Sequence, residues 1–298
     1  MDDRASQRRR FLIVYNPAAG RGRRDMLDDV CARLAAAQAL VTVEQADCTE
    51  ADRQLVTEAS RSGRFDAIIA AGGDSTIRGV ASGLVGAELP LGIIPIGTGN
   101  VLAEEIGLAR TPQAVAACLL TGATIPVMPG RAGNQLFLEM VGAGFDARVL
   151  QRLDMRWKHR LGKLAYAWPI LGALAQRPRS FRVRVDGREL SCTWLVVTKV
   201  AHYAGSFIIA PRQRLSEPGF HAVIVNAETR REMAGVLVSV PFRLVGRHPR
   251  VEVVACCDVE VPAGQDVPFQ IDGEPLDAAS LKISTSGEVL RLIVPEPG

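Results

Sequence analysis

Two rhythms of apolar and polar positions divide the chain. In the first ~125 residues, short β-branched runs alternate with stretches whose apolar positions recur every three or four residues. Phe11–Tyr15, Val41–Gln45, Asp66–Ala71 and Leu91–Ile96 read as strands. Leu27, Val30, Cys31 and Leu34 set a helix over Asp25–Gln38, and Ala51–Arg61 a second one stopped by Gly63. Thr111-Pro112 opens a further helix, with an N-cap and proline at its first position. Strand, loop and helix in succession predict a doubly wound parallel sheet with helices on both faces. Ligands of such sheets bind beyond the carboxyl ends of the strands.

From about Pro126 the pattern becomes that of a β-rich domain. Gln135–Val141, Phe181–Val185, Leu190–Thr198, Phe207–Ala210, Phe220–Asn226, Val251–Cys256, Val267–Ile271, Leu281–Ser284 and Val289–Val294 read as strands. Asp186-Gly187 marks a hairpin. One helical stretch interrupts them at about Asp154–Ala175. The expected organisation is an α/β domain over residues 1–127 and a β-sandwich domain over 128–298, with the last strand allowed to return to the first domain.

Composition narrows the function classes. Hydrophobic residues make up 48% and charged residues 22%, enough for a sizeable core. A net charge of +3 over the whole chain does not point to nucleic acid as a partner. Cys31, Cys48, Cys118, Cys192, Cys256 and Cys257 form no CxxC pair, and His159, His202, His221 and His248 show no metal or triad spacing. Buried free thiols and no zinc site are expected. No apolar run reaches the ~18 residues of a membrane span, and Arg243 and Gly246 break the best candidate at Val236–Val245. A cytoplasmic protein is expected, with contact to a membrane surface left open.

Three glycine-rich loops follow strands of the first sheet: Asn16–Arg24, Gly72–Thr76 and Gly97–Asn100. Phosphate needs close backbone N–H donors, and glycine lets the backbone approach. The start of the next helix adds positive potential. Asn16, Gly20, Arg21, Gly72, Gly73, Asp74, Ser75, Thr76, Arg78, Gly97, Thr98 and Asn100 are therefore the candidate nucleotide-phosphate residues. The alternative is three tight turns with no ligand. Neither GxGxxG nor a Walker loop is present.

The ordered set NPAAGRGR, AAGGDSTI, PLGIIPIGTGN, GAGFDA, YAGSF, IAP and QIDGE resembles the diacylglycerol kinase catalytic family, its bacterial lipid kinases above all. The likeness runs from Phe11 to about Ile293. It implies an ATP- and Mg²⁺-dependent lipid kinase of two domains, related in plan to NAD kinase, with nucleotide in the cleft between them. Gly72-Gly-Asp-Ser-Thr76 matches the family's GGDGT, with Ser75 in place of glycine and Arg78-Gly79 where Asn-Glu is usual. Asp272-Gly-Glu274 matches DGE, which makes Glu274 the base for the acceptor hydroxyl. Asp74 is the first candidate to hold Mg²⁺, with a helix N-terminal acid or loop cap as its alternative; a turn of solvated acids is the alternative at Asp272–Glu274, and Asp146, in the GFDA motif, is left as a brace at the domain junction. Two further departures stand out. Val127–Arg131 lacks the acid that often follows the domain crossover. Leu215-Ser-Glu-Pro-Gly219 replaces the LDDG loop of an accessory Mg²⁺ site, leaving Glu217 as its one hard ligand.

Between Arg152 and Arg188, ten Lys or Arg face two Asp. Trp157, Leu161, Leu164, Trp168 and Leu171 fall on one helical face of that segment. A basic, Trp-bearing helix suits an anionic membrane surface, and a helix packed into the core is the alternative. Two rival functions remain: a kinase of a soluble substrate such as NAD, and a catalytically impaired nucleotide- or lipid-binding relative. Ser206 has no GxSxG elbow, which argues against a serine hydrolase. Neither the lipid nor the choice between monomer and homodimer is fixed.

Overall fold

The computed structural model describes residues 7–19, 24–47, 50–153 and 165–296. The chain divides into two compact units, Met1–Met128 with Glu288–Gly298, and Pro129–Gly287.

The first unit runs β1 (Arg10–Tyr15), α1 (Arg24–Ala36), β2 (Leu40–Gln45), α2 (Glu50–Arg61), β3 (Ala67–Gly72), α3 (Asp74–Leu84), β4 (Leu91–Pro95), α4 (Val101–Glu105), α5 (Pro112–Thr121) and β5 (Ala123–Val127). Its sheet has the order β2-β1-β3-β4, then the C-terminal strand Leu290–Val294, then β5. The first four strands are parallel. The C-terminal strand joins β4 in parallel, and β5 runs antiparallel to it. The parallel sheet therefore ends in an antiparallel edge. β3 and β4 are buried along their whole length, as central parallel strands with both faces covered must be. Helix α1 packs against α5, and α2 against α3. The chain leaves β1 towards β2 on one side and β3 towards β4 on the other. That reversal makes the carboxyl ends of β1 and β3 the natural ligand position of this sheet.

The second unit runs β6 (Gly130–Ala132), β7 (Gln135–Phe137), β8 (Met140–Gly144), α6 (Phe145–Gln151), α7 (Ala167–Leu174), β9 (Phe181–Val185), β10 (Arg188–Cys192), β11 (Trp194–Thr198), β12 (His202–Tyr203), β13 (Phe207–Ile208), β14 (Phe220–Val225), α8 (Arg230–Ser239), β15 (Val251–Cys256), β16 (Asp258–Val261), β17 (Phe269–Ile271), β18 (Glu274–Leu276) and β19 (Leu281–Thr285). Two six-stranded sheets, β10-β9-β16-β19-β6-β7 and β15-β14-β11-β8-β17-β18, share one apolar core that includes Phe137, Phe181, Leu195, Phe220, Val259 and Ile283.

Several strand expectations need correction. Leu190–Thr198 is two strands in different sheets, parted at Thr193, whose N–H and hydroxyl both donate to the Val225 carbonyl. Gln135–Val141 likewise divides between β7 and β8. Neither run holds a glycine or proline, so nothing in it marks where the chain steps from one sheet to the other. Helix α8 was not expected, although Thr229 and Glu232 form a capping box at its start. The hairpin at Asp186-Gly187 joins β9 to β10, with φ of 44° and 81°. Cys118, Cys192 and Cys256 are buried, but Cys257 is exposed; Cys48 lies outside the described residues. No described helix is long and apolar enough to cross a membrane.

Candidate active site

The glycine loops of the first unit meet at the carboxyl ends of β1, β3 and β4. The Ile96 and Gly97 N–H groups both donate to the Gly72 carbonyl at 3.2 Å. A Cβ at Gly97 would lie 2.5 Å from the Gly73 Cα, and one at Gly72 only 2.3 Å from the Thr76 side chain. The two turns can touch only because residue 97 is glycine, and Gly72 leaves room for the Thr76 side chain within its own turn. Gly73 caps α3 in extended conformation, and no side chain caps that helix. The Asn16 amide donates to the buried Thr76 hydroxyl at 3.2 Å, tying the first loop to the second. The Asp74 carboxylate accepts the Val101 N–H at 3.0 Å, which ties the second loop to the third.

Asn100 is fully buried with φ of 50°, and its amide donates to the Gly97 carbonyl at 2.8 Å. Its Oδ1 is buried without a partner among the described residues. Asn16, Gly72, Gly73, Asp74, Thr76, Gly97 and Asn100 thus form one connected corner. Ser75 and Thr98 are half-buried on the same turns, and Arg78 stands one turn into α3. Gly20 and Arg21 lie outside the described residues. Sequence reasoning missed Arg110, which bonds to the Gly99 carbonyl at 3.3 Å and to Glu104 at 2.5 Å. Nothing in its spacing from the loop marks it.

In the second unit, Asp272-Gly273 is the turn between β17 and β18. Both residues have positive φ, 45° and 80°. Asp272 is not a solvated turn acid. It is 3% exposed, and its carboxylate accepts the N–H groups of Leu138, Glu139 and Met140 at 2.9–3.1 Å. Residues 138–139 lie between β7 and β8, where the chain changes sheets. A buried carboxylate there satisfies amides lying at that break in the ladder.

Behind the turn, Gly273 N–H donates to Gln270 Oε1 at 2.9 Å, and Gln270 Nε2 donates to Asp146 Oδ2 at 3.1 Å. Asp146 therefore braces the DGE turn from within its own unit. A Cβ at Gly142 would come within 2.0 Å of the Asp146 carboxylate, so the glycine makes room for it. Burial pushes the Asp146 carboxyl up to about 6, against the hydrogen bonds from Gln270 and Ala147 that favour the anion. Glu274, the next residue after this braced turn, is exposed. Glu217 is exposed on the loop before β14, and its main-chain carbonyl accepts from Lys199. Among the described residues, no three His, Cys, Asp or Glu side chains converge as a metal site.

The segment predicted as a basic amphipathic helix is described only in part. Trp157, Leu161 and Leu164 lie outside the described residues; Trp168 and Leu171, on α7, are 82% and 58% exposed. Those two do not pack into the core.

Comparison with known proteins identifies both units. Residues 10–132 match the diacylglycerol kinase catalytic domain, and residues 139–294 the YegS C-terminal NAD kinase beta sandwich-like domain. A probable lipid kinase YegS-like of Pseudomonas putida is 30% identical over 248 residues, covering 82% of this chain and 81% of its own. A diacylglycerol kinase of Mycobacterium tuberculosis is 29% identical over 258 residues, with coverage of 80% and 81%. The crystal structure of a diacylglycerol kinase from Bacillus anthracis superposes with a TM-score of 0.74 at 21% identity, over 97% of this chain and 98% of that one, a likeness of fold. The ordered motifs, the two matched domains and the relatives converge: the chain belongs to the diacylglycerol kinase catalytic family of lipid kinases.

Proposed function

We propose that this lipid kinase transfers the γ-phosphoryl group of ATP to the hydroxyl of a lipid such as diacylglycerol. The carrying observation is the corner where Gly73 and Gly97 touch at the strand ends, beside a helix that no side chain caps. Backbone amides at such a corner suit a polyphosphate, and phosphoryl transfer asks mainly for positioning and charge neutralisation. Asn16, Gly72, Gly73, Ser75, Thr76, Gly97, Thr98 and Asn100 are assigned to the nucleotide, with Gly20, Arg21 and Arg78 as its further contacts.

Asp74 is assigned to the Mg²⁺ that accompanies ATP. Its carboxylate is fixed by Val101 at the junction of two loops, and one carboxylate plus waters and phosphate oxygens is a usual Mg²⁺ set. When bound, that ion neutralises charge on the phosphoryl oxygens. Glu274 is assigned to take the acceptor's proton; the buried Asp272 and the Asp146–Gln270 pair hold its turn in place. Exposed Trp168 and Leu171, within a segment rich in arginine and lysine, are assigned to the membrane that holds the lipid.

The test is transfer from labelled ATP with Mg²⁺ to a panel of micellar lipids and to NAD. Label extracted into organic solvent supports the reading. Label on NAD overturns it in favour of a soluble substrate, and nucleotide binding without any transfer overturns it in favour of a binding protein.

A further inference from the structure

Lys199 is a lysine with 1% of its surface exposed, among the largest fully buried side chains of the chain. It follows β11 directly, and its N–H is fixed by the Glu139 carbonyl at 2.8 Å. Its ammonium reaches into the loop before β14. There it donates to the Glu217 carbonyl at 2.6 Å and the Gly219 carbonyl at 3.0 Å, with the Phe220 ring 5.8 Å away. A buried ammonium is expensive unless paired, and main-chain carbonyls are hard oxygen donors of the kind that otherwise hold Mg²⁺.

This is the loop, Leu215-Ser-Glu-Pro-Gly219, in which resemblance to the family implies an accessory Mg²⁺. The residues present do not fit that ion. A fixed cation already draws on two of the loop's carbonyls, and a divalent ion brought to the same oxygens would meet its repulsion at close range. Glu217 is exposed, and no second carboxylate belongs to the loop.

We propose that the Lys199 ammonium is the resident cation of this loop, standing where a structural Mg²⁺ would otherwise hold it. The loop is then locked by a covalently attached charge that chelation cannot remove. The enzyme's need for Mg²⁺ reduces to the ion carried in with ATP.

The inference does not depend on catalysis and is tested without nucleotide. Thermal unfolding of the full chain is followed in Mg²⁺ and in EDTA at matched ionic strength, and Mn²⁺ binding is titrated by electron paramagnetic resonance. The expected result is a melting temperature unchanged within about 1 °C and no tightly bound Mn²⁺. Lys199→Met, which keeps the bulk but abandons the buried Gly219 carbonyl and the part-buried Glu217 carbonyl, is expected to melt roughly 5 °C lower. A Mg²⁺-dependent rise of several degrees in the unsubstituted chain, or one tightly bound Mn²⁺ per chain, overturns the proposal. Lys199→Met melting with the unsubstituted chain overturns it too. If Lys199→Met does not fold, the metal titrations of the unsubstituted chain decide alone.

Discussion

The glycine corner of the first unit and the DGE turn of the second are held in shape by opposite means. Around Gly73 and Gly97, side chains are removed so that backbone can meet backbone, and most of the bonds that join the loops run to main-chain atoms. Around Glu274, side chains are buried so that the backbone is held. Asp272 takes three amides, Gln270 takes the Gly273 amide, and Asp146 takes Gln270. The first design leaves the start of α3 without a side-chain cap. The second keeps one exposed carboxylate on a rigid support. The contrast teaches that one chain can solve positioning twice, by subtraction at the corner the proposal gives to the anion and by internal clamping at the turn it gives to the acceptor's proton.

The contrast breaks most visibly at Asp272. Asp272→Ala strands three buried amides and is expected to destabilise the chain by about 3–5 kcal/mol. Urea unfolding measures it, and a loss under about 1 kcal/mol would make the clamp dispensable.

Asp146 sharpens the same side of the comparison through pH. Its carboxyl sits at about 6 when folded, above the ordinary 3.8. The folded state therefore holds that proton more tightly. The group's contribution is full below about pH 4 and is lost as pH rises through 6, by up to about 3 kcal/mol. Asp146→Asn cannot titrate. The stability difference, unsubstituted chain minus variant, should fall by that order between pH 4 and 7; a flat difference would remove the buried-acid account.

The subtractive side is tested by addition. Gly97→Ala places a methyl against the Gly73 backbone and is expected to cost about 1–3 kcal/mol by overpacking. ATP affinity measured by calorimetry should drop roughly tenfold or more, whereas Gly264→Ala, at a turn with open space around it, should leave that affinity unchanged. The smallest expected effect is at the surface. Trp168→Glu should raise the apparent KM for vesicle-borne lipid several-fold and leave kcat towards a short-chain, water-dispersed lipid alone. Equal changes in both would tie Trp168 to folding instead.

The subtractive region was the more legible in sequence. Glycine requirements are local, so Gly72-Gly73 and Gly97 announced close backbone approach before any topology was known. The clamps were not legible. Asp272 reads as an ordinary turn acid until residues 138–140, more than 130 positions away, are seen to change sheets beside it. Lys199 carries no local mark of burial; the carbonyls that hold it, of Glu217 and Gly219, lie 18 and 20 positions away. The sheet changes at Thr193 and at 138–139 were hidden because strand-forming residues run through each step with no glycine or proline to mark it. Helix α8 was legible in its Thr229–Glu232 capping box, but its apolar residues run on past its end at Ser239 and blur its helical period.

The central claim is that a glycine-built phosphate corner and a braced Glu274 belong to one phosphoryl-transfer reaction. Glu274→Gln keeps the turn and its size while removing the base. In a single-turnover assay with labelled ATP, Mg²⁺ and micellar diacylglycerol, the account predicts transfer slowed roughly 10²–10⁴-fold with ATP affinity within about twofold of the unsubstituted chain. Transfer at an unchanged rate would contradict it.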